Sequence, residues 1–195
     1  MANFKEWFLQ LKDFRNQRPI DDDSGFLGVY STSATAPDFV SIYDRFGTAL
    51  SNPATFTDGK LQFFTDKSIT SVNLTVLTAT GYAVFATAIS SDEHSLYINR
   101  ENRRQLLVFP FKFNSGGTVV DSGFDLPANM LIDDAFVRVT TVDATETIDV
   151  GFVNAVESGD ENGLIAAASL ANAGYVENAP VATGGTNIDF LAATT

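Results

Sequence analysis

RRQLLVFPFKFNSGGTVVDSGFDLPANMLIDDAFVRVTTVDATETIDVGFV, residues 103–153, is the stretch on which a fold assignment turns. Leu107, Phe109, Phe111 and Phe113 alternate with Val108, Pro110 and Lys112 until Asn114-Ser115-Gly116-Gly117 stops the run. Residues 136–142 carry β-branched side chains on both faces, and Ile148, Val150 and Phe152 alternate with Thr147, Asp149 and Gly151. Period-two alternation of this length marks half-buried strands. Antiparallel strands are therefore expected at 106–113, 135–142 and 147–153, with Ile148, Val150 and Phe152 pointing inward. Such strands need a facing sheet, so the expected fold is all-β: an antiparallel β-sandwich or jelly-roll-like domain.

Upstream, residues 26–90 read as short strands, either a separate hairpin-rich module or the first half of the sandwich. The clearest local signal is Asp58-Gly59 between Phe56 and Leu61-Gln62-Phe63, since glycine readily takes the positive φ of a tight hairpin turn. Residues 4–15, FKEWFLQLKDFR, place Phe4, Trp7, Phe8, Leu11 and Phe14 at spacings of three and four. This predicts an N-terminal amphipathic helical arm. A helix so short is marginal alone, so its stripe must lie on its own sandwich or on a partner, and the five residues are a candidate partner-binding set. Pro19 to Gly25, with Asp21, Asp22 and Asp23, reads as a solvated linker, which makes the arm detachable. Leu164 to Ala173 is alanine-rich and is expected to form one short helix ending at Gly174. The expected organisation is an arm and linker at 1–25, the hairpin-rich segment at 26–90, the core sandwich at 91–178 and an extended tail at 179–195.

Of the 195 residues 45% are hydrophobic, 17 of them Phe, ample for a sizeable core; there is no cysteine, which excludes disulfides and thiolate metal sites. No apolar run approaches the ~18 residues of a membrane span, and the N-terminus lacks the apolar core of an export signal. The net charge is −12 and unevenly spread: residues 121–195 hold twelve acids and one base, Arg138. That surface repels phosphate backbones, so neither nucleic acid nor membrane is expected as a partner.

No constellation signals catalysis. His94, the single histidine, follows Asp92 and Glu93, but adjacent residues rarely meet in nucleophile geometry and no nucleophile elbow surrounds them. Three consecutive aspartates at 21–23 do not converge on one ion and lack the calcium-loop pattern, while the acidic loop at 157–163 offers oxygens suited to calcium only if its backbone gathers them. No catalytic residue, cofactor or metal is assigned. Arg100, Arg103 and Arg104 form the densest basic cluster, and guanidinium forks suit carboxylates of a neighbouring subunit.

FDLPANMLIDDAFVRVTTVDATETIDVGF (124–152) and VESGDENGLIAAASLANAG (156–174) resemble a segment found in structural proteins of tailed-bacteriophage virions, in which a Leu-Pro-Ala turn leads into a strand, a Thr/Asp-rich turn and an Ile-Asp-Val-Gly strand. IYDRFGTALSNPATFTDGKLQFFTD (42–66) is similar to a small hairpin module of phage head and tail appendage proteins. Together these cover a little more than a third of the chain. The resemblance implies a non-enzymatic virion protein made in a host bacterial cytoplasm and carried on the capsid surface. It would be a capsid decoration (cement) protein bound to the major capsid protein and other virion proteins, and a homo-oligomer, a trimer by preference. The alternative is a head or tail fibre, or an adaptor, whose sandwich binds host glycans through exposed tyrosines.

Overall fold

The computed structural model describes residues 4–33, 38–101, 104–111, 122–126, 132, 134–151 and 164–177. Among these the chain is all-β, with eleven strands and no helix. It divides into two compact units, Met1–Phe113 with Ser122–Pro127, and Asn114–Asp121 with Ala128–Thr195.

The first unit holds two sheets. In one, β1 (Phe4–Asp13) runs between β4 (Lys60–Asp66), antiparallel to it, and β7 (Ser95–Ile98), parallel to it. In the other, β3 (Ala54–Phe56), β2 (Gly25–Ser31), β5 (Ser71–Thr78) and β6 (Ala83–Ser90) lie in that order, all antiparallel. Trp7, Leu9, Leu61, Phe63 and Ile98 of the first sheet share one buried cluster with Leu27, Val29, Val72, Leu74 and Val76 of the second. Two sheets joined by one apolar layer make a β-sandwich. Every buried member of that cluster lies between Trp7 and Ile98, upstream of the 103–153 stretch.

The expected helical arm is a strand, and the central one of its sheet. FKEWFLQLKD satisfies two periods at once. Spacings of four keep residues on one side of a strand as well as of a helix, whereas spacings of three change sides. Trp7, Leu9 and Leu11 therefore turn inward and are fully buried, while Phe8 and Phe14 are exposed. Leu9, outside the helical stripe, is the residue that reveals the true period. Cross-strand pairing decides the outcome: Trp7 lies opposite Phe63 and stacks on it at 5.7 Å, and its indole Nε1–H donates to the buried Thr65 hydroxyl at 2.9 Å. A lone helix offers no such partners.

The expected Asp58-Gly59 turn is present, with φ of 54° and 60°, and the Lys60 N–H donates to the Thr57 carbonyl at 3.0 Å. Its two arms then part, β3 joining one sheet and β4 the other, so the turn is a corner of the sandwich. Space there is tight. A Cβ on Gly59 would lie 1.9 Å from the Ile20 carbonyl oxygen. Pro19 to Gly25 is likewise not a free linker. Ile20 is core, its N–H donates to the Leu11 carbonyl at 2.9 Å, and Asp23 is 3% exposed. Asp23 Oδ2 accepts from the Thr80 hydroxyl at 2.6 Å. Asn52 closes another gap: its side-chain amide donates to the Val29 and Val40 carbonyls and its Oδ1 accepts from the Val29 N–H, as a strand backbone would.

The strand expected at 106–113 is absent from residues 106–111; residues 112 and 113 lie outside the described ones. Pro110 has no N–H for a ladder. The segment instead lies over the outer face of the second sheet, where the Thr75 hydroxyl donates to the Val108 carbonyl at 2.5 Å and Phe109 meets Phe124, itself against Phe26.

The second unit contains two ribbons. β8 (Phe136–Val139) pairs with β11 (Gly174–Glu177), and β9 (Thr147–Val150) with β10 (Ile165–Ser169), both antiparallel. The strands expected at 135–142 and 147–153 thus appear in shorter form. Ile148 is buried as expected and Val150 half-buried; Phe152 lies outside the described residues. The helix expected from Leu164 to Ala173 is a strand over Ile165–Ser169, paired to β9 with a register shift between Ile165 and Ala168.

Three outcomes follow from a core built on β1. Leu9→Ala should cost ~2–5 kcal/mol in chemical denaturation, where a helical stripe would leave the position nearly neutral. Removing residues 1–18 should abolish the folded signal in circular dichroism, because the sheet loses its middle strand. Gly59→Ala should destabilise by ~2 kcal/mol or more, since it adds a left-handed alanine to a backbone clash.

Candidate interaction face

The outer face of the β4-β1-β7 sheet is the surface that stands out chemically. Even-numbered β1 residues point there. At its start the Phe4 ring packs against Tyr43 at 4.7 Å, and Glu6 accepts a hydrogen bond from Gln62 at 2.8 Å. Beyond these the face opens: Phe8 is 40% exposed, Tyr97 of β7 39% and Phe14 63%. Of the five residues expected to form one binding stripe, Trp7 and Leu11 are thus buried in their own unit. Phe4, Phe8 and Phe14 remain on the outward side.

Beside Phe4 rises the loop of residues 43–49, and it carries the most exposed aromatic of the described residues, Phe46 at 67%. The loop is held from within. Asp44 Oδ1 accepts from the Phe46 and Thr48 N–H groups at 2.8 Å each, the Asp44 N–H donates to the Thr48 carbonyl, and the Gly47 N–H to the Asp44 carbonyl. Gly47, at φ 84°, sets its back to the Phe4 ring, and the Arg45 guanidinium lies over the Phe46 ring at 4.6 Å. The Thr48 amide above all holds the Asp44 carboxyl below its ordinary range; desolvation opposes it, and the Phe46 amide adds to the lowering. An exposed phenylalanine beside an arginine, on a turn closed by four hydrogen bonds, would have little ordering entropy left to lose on contact with a partner. The sequence signal was present in Asp-Arg-Phe-Gly, which reads as a turn; what it does not reveal is that the phenylalanine points outward.

The expected chemical candidates are placed as follows. His94 is exposed, and its backbone carbonyl accepts from the Gln10 N–H. Asp21, Asp22 and Asp23 go to three different partners, Gln10, Arg100 and Thr80, and no group of three or more potential metal ligands exists among the described residues. Arg100 lies 3.7 Å from Asp22 and over the Tyr82 ring at 5.5 Å, beside a shallow groove of about 420 Å³ lined by Asp13, Arg18 and Asp22 among others. Its charge is thus partly matched within the chain. Arg104 is exposed, and Arg103 lies outside the described residues, as do the 157–163 loop and the 179–195 tail. In the second unit, Arg138 stands over the exposed Tyr175 ring at 5.9 Å, and Tyr175 meets exposed Phe136 edge-on at 5.4 Å. No helix among the described residues is long and apolar enough to cross a membrane.

Compared with family models, curated proteins and solved structures, the chain matches none.

The Asp44 turn carries a pH signature. Its carboxyl is lowered in the folded state, so its contribution is complete above the ordinary value of 3.8 and is lost as pH falls through the lowered one. Acidification from about pH 5 toward about pH 2 should shift the Phe46 and Thr48 amide resonances with a midpoint below 3.8. Asp44→Asn should abolish that titration.

Proposed function

We propose that the chain is a non-enzymatic structural protein of a phage virion, a capsid decoration (cement) protein that grips the head shell through the aromatic outer face of its first unit. The observation that carries this reading is the rigidly held Phe46 loop beside exposed Phe8, Phe14 and Tyr97. Apolar groups left in water on a pre-set surface suit adhesion to a complementary protein, the major capsid protein in this reading. The resemblance of residues 42–66 and 124–174 to virion proteins supports the same setting, and a jelly-roll-like sandwich is its natural scaffold. Adhesion of this kind resists internal pressure by buried area alone and requires no chemistry.

A second reading, a fibre or adaptor that binds host glycans, is favoured by one feature: the perpendicular Phe136 and Tyr175 rings with Arg138 beside them. Aromatic faces stack on sugar rings, and a guanidinium donates to hydroxyls.

The deciding experiment is co-sedimentation of the purified protein with virions stripped of it. Phe46→Ser and Phe8→Ser, both at exposed positions, should leave thermal unfolding almost unchanged and together reduce particle binding at least tenfold. Retained binding in the double variant would sink the cement reading. Binding of the wild type to a glycan array that Tyr175→Ser abolishes would establish the second.

A further inference from the structure

The chain crosses between the sheets at both sides of the sandwich, from β3 to β4 at the Asp58-Gly59 corner and from β6 to β7 through residues 91–94. β6 nevertheless ends its sheet, and no strand among the described residues pairs with its outer edge. Strands of this kind are usually blunted by lysine, proline or a cover. β6 reads AVFATAIS, eight residues without a charge or a proline.

Which of its backbone groups are free follows from the ladder. The Thr78 N–H donates to the Tyr82 carbonyl, and from there bonded and non-bonded pairs alternate along β5 and β6. Ala83 and Phe85 fall at the non-bonded pairs, so their N–H and C=O groups point outward; Thr87 follows Ala86 at the register shift, and its N–H continues the outward alternation. Two devices bound the free stretch. At one end the Ala83 N–H is taken by Gln105 Oε1 at 3.3 Å. At the other, a bulge at Ala88 (φ 52°) is pinned by its N–H donating to Asn73 Oδ1 at 2.9 Å. Left without a partner among the described residues are the Ala83 carbonyl, both groups of Phe85 and the Thr87 N–H.

We propose that this edge pairs with β6 of a second copy of the chain, antiparallel about a two-fold axis at Phe85, so that the two four-stranded sheets become one. The free groups are self-complementary in that register. Phe85 exchanges both of its bonds with the partner's Phe85. Each Thr87 N–H meets the Ala83 carbonyl of the other copy, and the Ala83 N–H stays with Gln105. Side chains agree as well: Phe85 gains an aromatic neighbour across the strands, Val84 faces Ala86, and no like charges meet. A foreign strand could use the same edge, but only a second copy supplies the matching pattern of free and occupied groups by symmetry. The charge distribution permits the contact, because residues 1–113 hold eleven bases against twelve acids, and the strong acidity lies in the other unit. The edge joins two copies, not the three expected from the sequence, and it is separate from the Phe8–Phe46 face, so it stands whether or not that face grips a capsid.

Sedimentation equilibrium of the full chain tests it. The wild type should sediment at twice the single-chain mass of 21.0 kDa. Thr87→Pro removes an outward N–H at no cost to the β5 ladder, and should sediment at 21.0 kDa with an unchanged circular dichroism spectrum. If the proline variant fails to fold, Thr87→Lys, which keeps the N–H but sets a cation on the edge, should give the same monomer. A wild type that sediments as a single chain or as three would overturn the proposal, as would a folded Thr87→Pro or Thr87→Lys that remains a dimer. Co-sedimentation of the same variants with particles reads the gripping face independently.

Discussion

Leu11 is where the sandwich is tied together. Its side chain is wholly buried, its N–H donates to the Gly59 carbonyl at 2.8 Å, and its own carbonyl accepts from the Ile20 N–H at 2.9 Å. Gly59 in turn donates its N–H to the Asp23 carbonyl at 2.8 Å. One residue of β1 thus holds the corner between the sheets and the returning segment after the Asp13–Arg18 turn. All of this requires backbones to approach more closely than any Cβ at position 59 would permit. With that junction formed, β3 and β4 must diverge into different sheets, and β1 is left in the middle of its own.

Much of the architecture was legible in the sequence, but its centre was not. The all-β class, the Asp58-Gly59 turn and the strands around Val137 and Ile148 follow from period-two alternation and turn residues. The N-terminal strand was hidden because Phe4, Phe8 and Phe14 coincide with Trp7 and Leu11 at helical spacings. Only Leu9 breaks the tie, and it does so only when β4 and β7 are present as neighbours. The Leu107–Phe111 alternation misled in the opposite sense. Its apolar residues are packed as a strap and not as a ladder, and Pro110 was the local sign. Asp23 shows the same limit: three aspartates in a row look solvated, and only the fold brings Thr80 within 2.6 Å of the third.

The candidate face was half visible. Phe8 and Phe14, expected within a partner-binding stripe, lie exposed because the strand period, not a helical one, sets their side. Trp7 and Leu11 were given the same role although the strand turns them inward. Phe46 escaped notice because an aromatic in a turn sequence has no periodicity to reveal its side. What holds its loop is the Asp44 carboxylate accepting the amides of Phe46 and Thr48, a contact between near neighbours that the Asp-Arg-Phe-Gly-Thr string permits but does not announce.

Asn52, whose amide stands in for a length of strand between Val29 and Val40, also bears on how long the molecule lasts. An asparagine usually loses its amide when the next residue's backbone N–H attacks the side-chain carbonyl, and conversion to aspartate here would delete both donations to Val29 and Val40. The next residue is Pro53, whose nitrogen carries no hydrogen, so that route is closed. The clamp is chemically protected at the one bond where slow ageing would otherwise undo it, an advantage to any protein that is never replaced after it is made.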